Sequence, residues 1–357
     1  MDSRALVSCL VLVLAVCGSE SARGGVLKVP QQFATINDAV TAAGSGDTVL
    51  VSKGTYVGNV FVDAKTNVTL RAKGKVRVRG TPAITATVFV NACNNFVMRG
   101  FRIEPAGTDT GILASFGSHV TLDRCRIDGG GTAIHVDLSA DATVRRCIVN
   151  DPSQTAIIVK GDNAAILGCK VTRTAGDGIS FESANAQVIG NKLTHIGDDA
   201  ISPSDADGAL IADNKITDVV EVAMGASPTL IATIVGNKVN GAGLGIECDG
   251  NVLLIQNNSF RRIDTSAIKA VSGSTTTVRN RFDRCGTGIE VGGGASESVH
   301  SENVIRRSTA NGVELKSGAK MNSFTRNVAR QSGGFDLFDE SGQTNLFIGN
   351  SFQFIGP

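Results

Sequence analysis

The sequence contains no tryptophan and one tyrosine, and aromatic residues make up 4% of its 357 positions. Sugar sites usually offer aromatic platforms, because a ring face buries much area against a pyranose. Any such platform here would have to be phenylalanine. No charge of one sign dominates either. Lys plus Arg number 34 against 33 for Asp plus Glu, a formal net charge of +1. That balance gives no electrostatic case for nucleic acid or an anionic membrane, and no basic stripe with interleaved aromatics stands out along the chain. Four His and four Met, none clustered, offer no His- or Met-rich metal site. Beyond the N-terminus no stretch reaches ~18 uninterrupted apolar residues, so no membrane-spanning helix is expected.

The N-terminus reads as a targeting segment. Arg4 precedes an apolar run from Ala5 to Cys17, and small or polar residues follow at Gly18, Ser19, Ser21 and Ala22. That order is the order of a secretory signal peptide over residues 1–22, and it places the mature protein outside the cytoplasm. Leu14-Ala15-Val16-Cys17 also approaches a lipoprotein box, which would anchor the chain at Cys17.

What the sequence does hold is a repeat. One column runs Phe101, Cys125, Cys147, Cys169, Asn191, Asn214, Asn237, Asn258, Asn280, Asn303, Asn327, Asn350, recurring about every 22 residues. Two residues after each stands an inward-type residue, from Ile103 to Phe352. A second column pairs a small residue with an apolar one, from Gly111-Ile112 to Gly334-Phe335, in the same period. Runs such as Ile134-x-Val136 and Ile179-x-Phe181 alternate with period two, as strands with one buried face do. A repeat this short cannot hold a βαβ unit, and Leu is too sparse in both columns for a leucine-rich repeat. Three short strands and three turns fit it. The fold predicted for residues 26–357 is an all-β, right-handed parallel β-helix of about a dozen coils. A stacked Asn can bond both its neighbouring backbone and the amide above. Cys125, Cys147 and Cys169 share that column as buried thiols, as a disulfide between adjacent coils, or as a metal site.

The first coil is different. Phe33, Ile36, Val40 and Ala43 fall on one helical face, and Gly44, Gly46 and Asp47 end it. A solenoid must cover its raw end, so a capping helix is expected within residues 30–45. The string Phe-x-Thr-Ile-x-x-Ala, followed by Gly-Asp-Thr-Val and Gly-Thr-Tyr, resembles the start of pectin-lyase-fold proteins. The later coils resemble parallel β-helix repeats of carbohydrate-active and surface proteins. The resemblance implies fold more than activity.

One cluster suggests chemistry. Asp177 precedes Gly178-Ile179, and Asp198-Asp199 precedes Ala200-Ile201 one coil later, so Asp199 stacks over Asp177. Carboxylates a few ångströms apart raise one another's pKa, as a general acid requires. The arrangement resembles polygalacturonase-type glycosidases, and by that resemblance Asp177, Asp198 and Asp199 would be the catalytic carboxylates. Ala175-Gly176 replace that family's Asn-Thr, and Glu221-Val222 stand where it has His-Gly. Asp and Gly are also ordinary turn residues.

An outward column follows the small-apolar pairs: Ser180, Ser202, Gly225, Glu247, Lys269, Glu290, Glu314, Asp336. Ser180, Ser202, Glu247 and Lys269 are the binding candidates, as a polar groove for a sugar chain or as a cross-coil ion ladder. His135, His195 and His300 read as solvated face or turn residues. No metal and no cofactor are called for. Two functions remain open: a polysaccharide-binding or polysaccharide-cleaving protein acting on a pectin- or uronate-like glycan, as a glycosidase or lyase if it cleaves, or a non-catalytic surface scaffold. The tail, rich in Phe and Ile from Phe335 to Ile355, is expected to leave an apolar, strand-edged end that self-associates.

Overall fold

The computed structural model describes residues 24–82, 86–225, 232–250 and 253–356. The targeting segment and Cys17 lie outside the described residues. From Val26 onward the chain winds as a parallel β-solenoid of about 14 turns. Coils before Phe101 lack the Asn/Cys column, which is why the repeat alone gives a lower count. Every strand pairing is parallel and lies between successive turns of the solenoid: Ile134 pairs Ile157, Ile157 pairs Ile179, and Ile179 pairs Ile201.

Three such ladders form the walls. One carries Ile112 through Ile201 and on to Val313. A second carries Leu122, Val144, Ile166 and Val188. The third carries Ile103, Ile127, Val149, Val171, Leu193 and Ile216. All of these side chains are buried, and together they make one continuous apolar core. Alternation puts the intervening residues outside. One corner is turned by residues in the left-handed region, Asp151, Arg173, His195 and Asp218, coil above coil.

The Asn column is a buried ladder. From Asn214 onward each Oδ1 accepts from the backbone N–H and the amide of the Asn one coil earlier, as Asn214 does for Asn191 at 2.8 and 3.0 Å. Each Nδ2 also donates to a strand carbonyl, that of Val188 for Asn214. Cys125, Cys147 and Cys169 continue the column with free, buried thiols. Hydrogen bonds to carbonyls hold the Cys147 and Cys169 sulfurs, Leu122 and Val144 accepting at 3.5 Å.

Both ends depart from the expected pattern. The helix spans only Ile36–Ala42, capped by Thr35, and buries Ile36, Ala39 and Val40; Phe33 lies outside it but packs on the core. At the far end the inward position belongs to Leu337, which pairs Val313, so Phe335 is 37% exposed and stacks on Phe338. Asp336 is correspondingly not outward but fully buried, and accepts from Ser332 Oγ and from the N–H groups of Gln353 and Phe354. A two-residue offset before the last coil, from Gly334 to Asp336, explains both corrections. Phe352 is partly buried against the core.

His300 is also corrected: it is wholly buried rather than solvated. Its Nδ1 lies 2.9 Å from Thr277 Oγ1, its Nε2 has no partner, and its ring stacks on Phe324 at 4.6 Å. Burial pushes its pKa down to about 3. A folded pKa below the unfolded value near 6.5 means stability held at neutral pH and lost as pH falls through 6.5. Between pH 7 and 5 this residue alone is expected to cost about 2 kcal/mol. His300→Phe extends the Phe324–Phe347 stack. Denaturant unfolding should show that loss in the parent and not in the variant; equal pH dependence of the two would refute it.

Candidate functional site

The third wall ends and the first begins at a corner built from tight turns. Ala175-Gly176-Asp177 joins the strands Lys170–Thr174 and Ile179–Glu182, and Gly197-Asp198-Asp199 does the same one coil later. Coil-to-coil approach there is close. A Cβ on Gly178 would sit 2.6 Å from the Ala200 carbonyl and 2.4 Å from Leu193 Cδ2. One on Gly197 would sit 2.5 Å from the Ala175 carbonyl. Side chains at these turns must therefore point outward, and the aspartates do.

The structure brings the three aspartates together. Asp177 Oδ1 accepts from the Asp199 N–H at 3.3 Å, and Asp199 Oδ1 accepts from the Val222 N–H at 3.0 Å. Glu221 joins them, at the position where the family resemblance would put a histidine. Asp198, Asp199 and Glu221 each offer an oxygen within 4.8 Å of the others. Such a set can share a proton or gather round an oxygen-seeking cation. Half-burial is the main reason that the Asp199 carboxyl is pushed up to about 6; the Val222 N–H opposes this, and the charges of Asp177, Asp198 and Glu221 add to it. Asp177 is raised as well, by burial first and then by Asp198.

The second Asp199 oxygen lies toward Gly225. Oδ2 is the nearest atom, at 3.6 Å, to where a Gly225 side chain would start. Gly225 follows Ser180 and Ser202 on the outward face of the first wall, where those two serines are register partners and half-buried. Glu247 and Lys269 continue that face further along, but they pair with each other at 3.1 Å, and Glu290 accepts from Ser266 instead of Lys269. Ser180 and Ser202 thus adjoin the carboxylates; Glu247 and Lys269 stand apart as an ion pair.

On the other side of the same turns lies a cleft of about 710 Å³. Thr174, Ala175, Ile196, Gly197, Val219 and Val220 floor it, and the Arg173–Asp151 and His195–Asp218 pairs, at 2.5 and 3.6 Å, rim it. None of the three aspartates lines it; it and the acidic cluster share the turn backbone. The cleft and Glu221 were missed in the sequence, although Glu221 sits one period after Asp199.

Known proteins can now be compared. A family model of right-handed β-helix regions matches residues 132–282. No curated protein matches the sequence. Among solved structures, the catalytic unit of a GH87 α-1,3-glucanase from Streptomyces thermodiastaticus aligns with 89% of this chain at 15% identity and a TM-score of 0.64. This chain is a right-handed parallel β-helix. It spans 66% of that glucanase unit. The β-helix also aligns with the mannuronan C-5 epimerase A-module of Azotobacter vinelandii, covering 90% of this chain and 92% of the module at 14% identity and a TM-score of 0.53. The tailspike of E. coli bacteriophage HK620, solved with a pentasaccharide, shares 13% identity over 92% of this chain and 72% of its own, with a TM-score of 0.59. At these identities the likeness is one of fold. Among the described residues no helix is long and apolar enough to cross a membrane.

Proposed function

We propose that this β-helix acts outside the cytoplasm on a polysaccharide and cleaves it at the carboxylate corner. The observation that carries the reading is Asp199: a half-buried carboxyl with a pKa of about 6, ringed by three other carboxylates. Paired groups whose surroundings drive their pKa values apart supply the acid and the base of glycoside cleavage. Asp199 holds the proton and donates it to the leaving glycosidic oxygen. Asp198 or Glu221 attacks the anomeric carbon or activates water. Asp177 orients Asp199 through its N–H and keeps it protonated through its own charge. Ser180 and Ser202 offer hydroxyls to the sugar beside Asp199. The structural neighbours that act on or bind glycans support the substrate class. Incubation with uronate and neutral glycans, read by reducing ends and by unsaturated products, tests the proposal and separates hydrolysis from elimination. No product from any glycan would favour the scaffold reading, in which Asp177 and Asp199 merely cap turn amides.

The apolar end is read as an end-to-end contact with a second copy. Leu346, Ile348, Phe354 and Ile355 are each more than half exposed, and the last strand, Ile355–Gly356, pairs on one side with Leu337–Asp339. An open strand edge with apolar side chains pairs readily. Sedimentation of the mature protein should show a concentration-dependent dimer that truncation before Phe352 abolishes; a strict monomer at high concentration would rule it out.

A further inference from the structure

The outward column of the third wall is a file of cations that the balanced composition hides. Lys170, Lys192, Lys215 and Lys238 are successive register partners, all exposed. Parallel neighbours stand ~4.8 Å apart, so the four ammonium stems rise from a line of ~14 Å. The same column continues through Ile148 to Arg126, Arg102 and Arg77 toward the N-terminus. Toward the C-terminus it runs through Ser259 to Arg281. A hollow of about 740 Å³ lies at the first end, lined by Lys53, Lys75, Arg77, Arg102, Arg124 and Arg126. A second of about 550 Å³, with Lys238 and Arg281 in its lining, lies at the other.

Like charges directly opposite each other across a ladder are destabilising. At several other outward positions a carboxylate one coil away offsets a cation. Lys160 pairs Glu182, Lys269 pairs Glu247, Arg279 pairs Glu302, and Arg173 pairs Asp151, each across one coil. The lysine file has no such relief: among the described residues no carboxylate lies within 4.0 Å of any of its four members. Folding therefore tolerates a repulsion that one alternating Glu would remove. A ligand that brings its own negative charge, once per coil, would turn that cost into binding energy.

The next outward column is uncharged. Asn150, Thr172, Thr194, Thr217 and Asn240 run parallel to the lysines, two residues further along each strand. The Thr172 and Thr194 hydroxyl oxygens are themselves buried, so the exposed lysines carry the recognition, and a row of them this long matches a linear polymer with an anionic group along one edge. We infer that this wall is a binding track for a linear acidic glycan with one negative group per sugar, its sugars stepping with the coils. No exposed aromatic on the lysine coils offers a base-stacking platform, so single-stranded nucleic acid is a poor fit. The inference rests on the glycan-acting reading and extends it with a second, non-catalytic surface that selects charge.

The test uses the Asp199→Asn protein, so that binding is measured without turnover. Affinity is read at low and high salt for polygalacturonate, a sulfated glycan, a neutral glucan and duplex DNA. Binding of either acidic glycan, weakened by salt, is expected to fall by about tenfold or more in Lys170→Gln/Lys192→Gln/Lys215→Gln/Lys238→Gln. Whichever acidic glycan binds identifies the anion as carboxylate or sulfate. The same variant should melt no lower than its parent, because it loses only repulsion, and Lys320→Gln should bind like the parent. Neutral glucan bound equally well, with the lysine variant unchanged, overturns the track and leaves the polysaccharide reading standing. Duplex DNA bound as tightly as the acidic glycans also overturns it. Binding to no glycan at all removes both.

Discussion

Asp199→Asn is expected to lower glycan cleavage by roughly 10²–10⁴-fold, the usual contribution of a positioned general acid. The amide keeps the oxygen that accepts from the Val222 N–H, so the turn survives. Only the proton is lost. The pH profile supplies an independent check. With the acid's pKa at about 6, cleavage should fall as pH rises through 6. Asp177→Asn removes one of the charges that raise Asp199, so its falling limb should move to lower pH. The Asp199→Asn substitution should move stability the opposite way from activity. A carboxyl whose folded pKa lies above its unfolded value contributes stability below the unfolded pKa and loses it as pH rises through 6. At pH 7 the ionised, crowded Asp199 is therefore a burden. Discounted for its partial exposure, Asp199→Asn should gain on the order of 1 kcal/mol there. A carboxylate that merely capped a turn would lose stability on the same change. Unchanged cleavage, or a fall in melting temperature at pH 7, would sink the catalytic assignment.

How far the sequence reaches depends on which property repeats. Inward positions repeat with apolar residues of similar size, so Ile112 to Val313 and Ile103 to Ala329 could be placed without coordinates. The stacking of Asp199 over Asp177 followed from the same period. Other features failed for physical reasons. Asp336 and Phe335 were misplaced because a two-residue offset leaves the local small-apolar pattern intact while changing which residue faces in. His300 lies in a buried position of the second wall, where polar residues such as Thr277 and Asn303 surround it, and nothing in its neighbours' composition marks that. The lysine file was legible in principle, since Lys170, Lys192, Lys215 and Lys238 each directly follow a member of the Asn/Cys column. Overall charge balance concealed it, because acids elsewhere cancel the sum but not the local field. Glu221 was hidden by the family pattern, which directs attention to a histidine that is not there.

The second large effect is expected in the Asn ladder. Asn258 is 1% exposed and central. Its Oδ1 accepts from the backbone N–H of Asn237 at 2.8 Å and from the Asn237 amide at 3.0 Å. Its Nδ2 donates to the Ile234 carbonyl at 2.8 Å and to Asn280 Oδ1 at 3.1 Å. Asn258→Ala orphans a buried N–H and a buried carbonyl at once. Each buried group left without a partner costs ~1–3 kcal/mol, so a loss of about 3 kcal/mol is expected. The solenoid has a built-in control. Cys147 and Cys169 occupy the same column, and their thiols reach strand carbonyls at 3.5 Å. Asn258→Cys should therefore recover the carbonyl contact but not the acceptor for the Asn237 N–H, and fall between the parent and the alanine variant. Because each coil touches only its neighbours, the weakening should be local. Hydrogen exchange should rise in the coils around Val235–Asn280 and stay unchanged near Cys125. A cost below about 1 kcal/mol, or exchange raised evenly along the whole solenoid, would show that the ladder is not what holds adjacent coils in register.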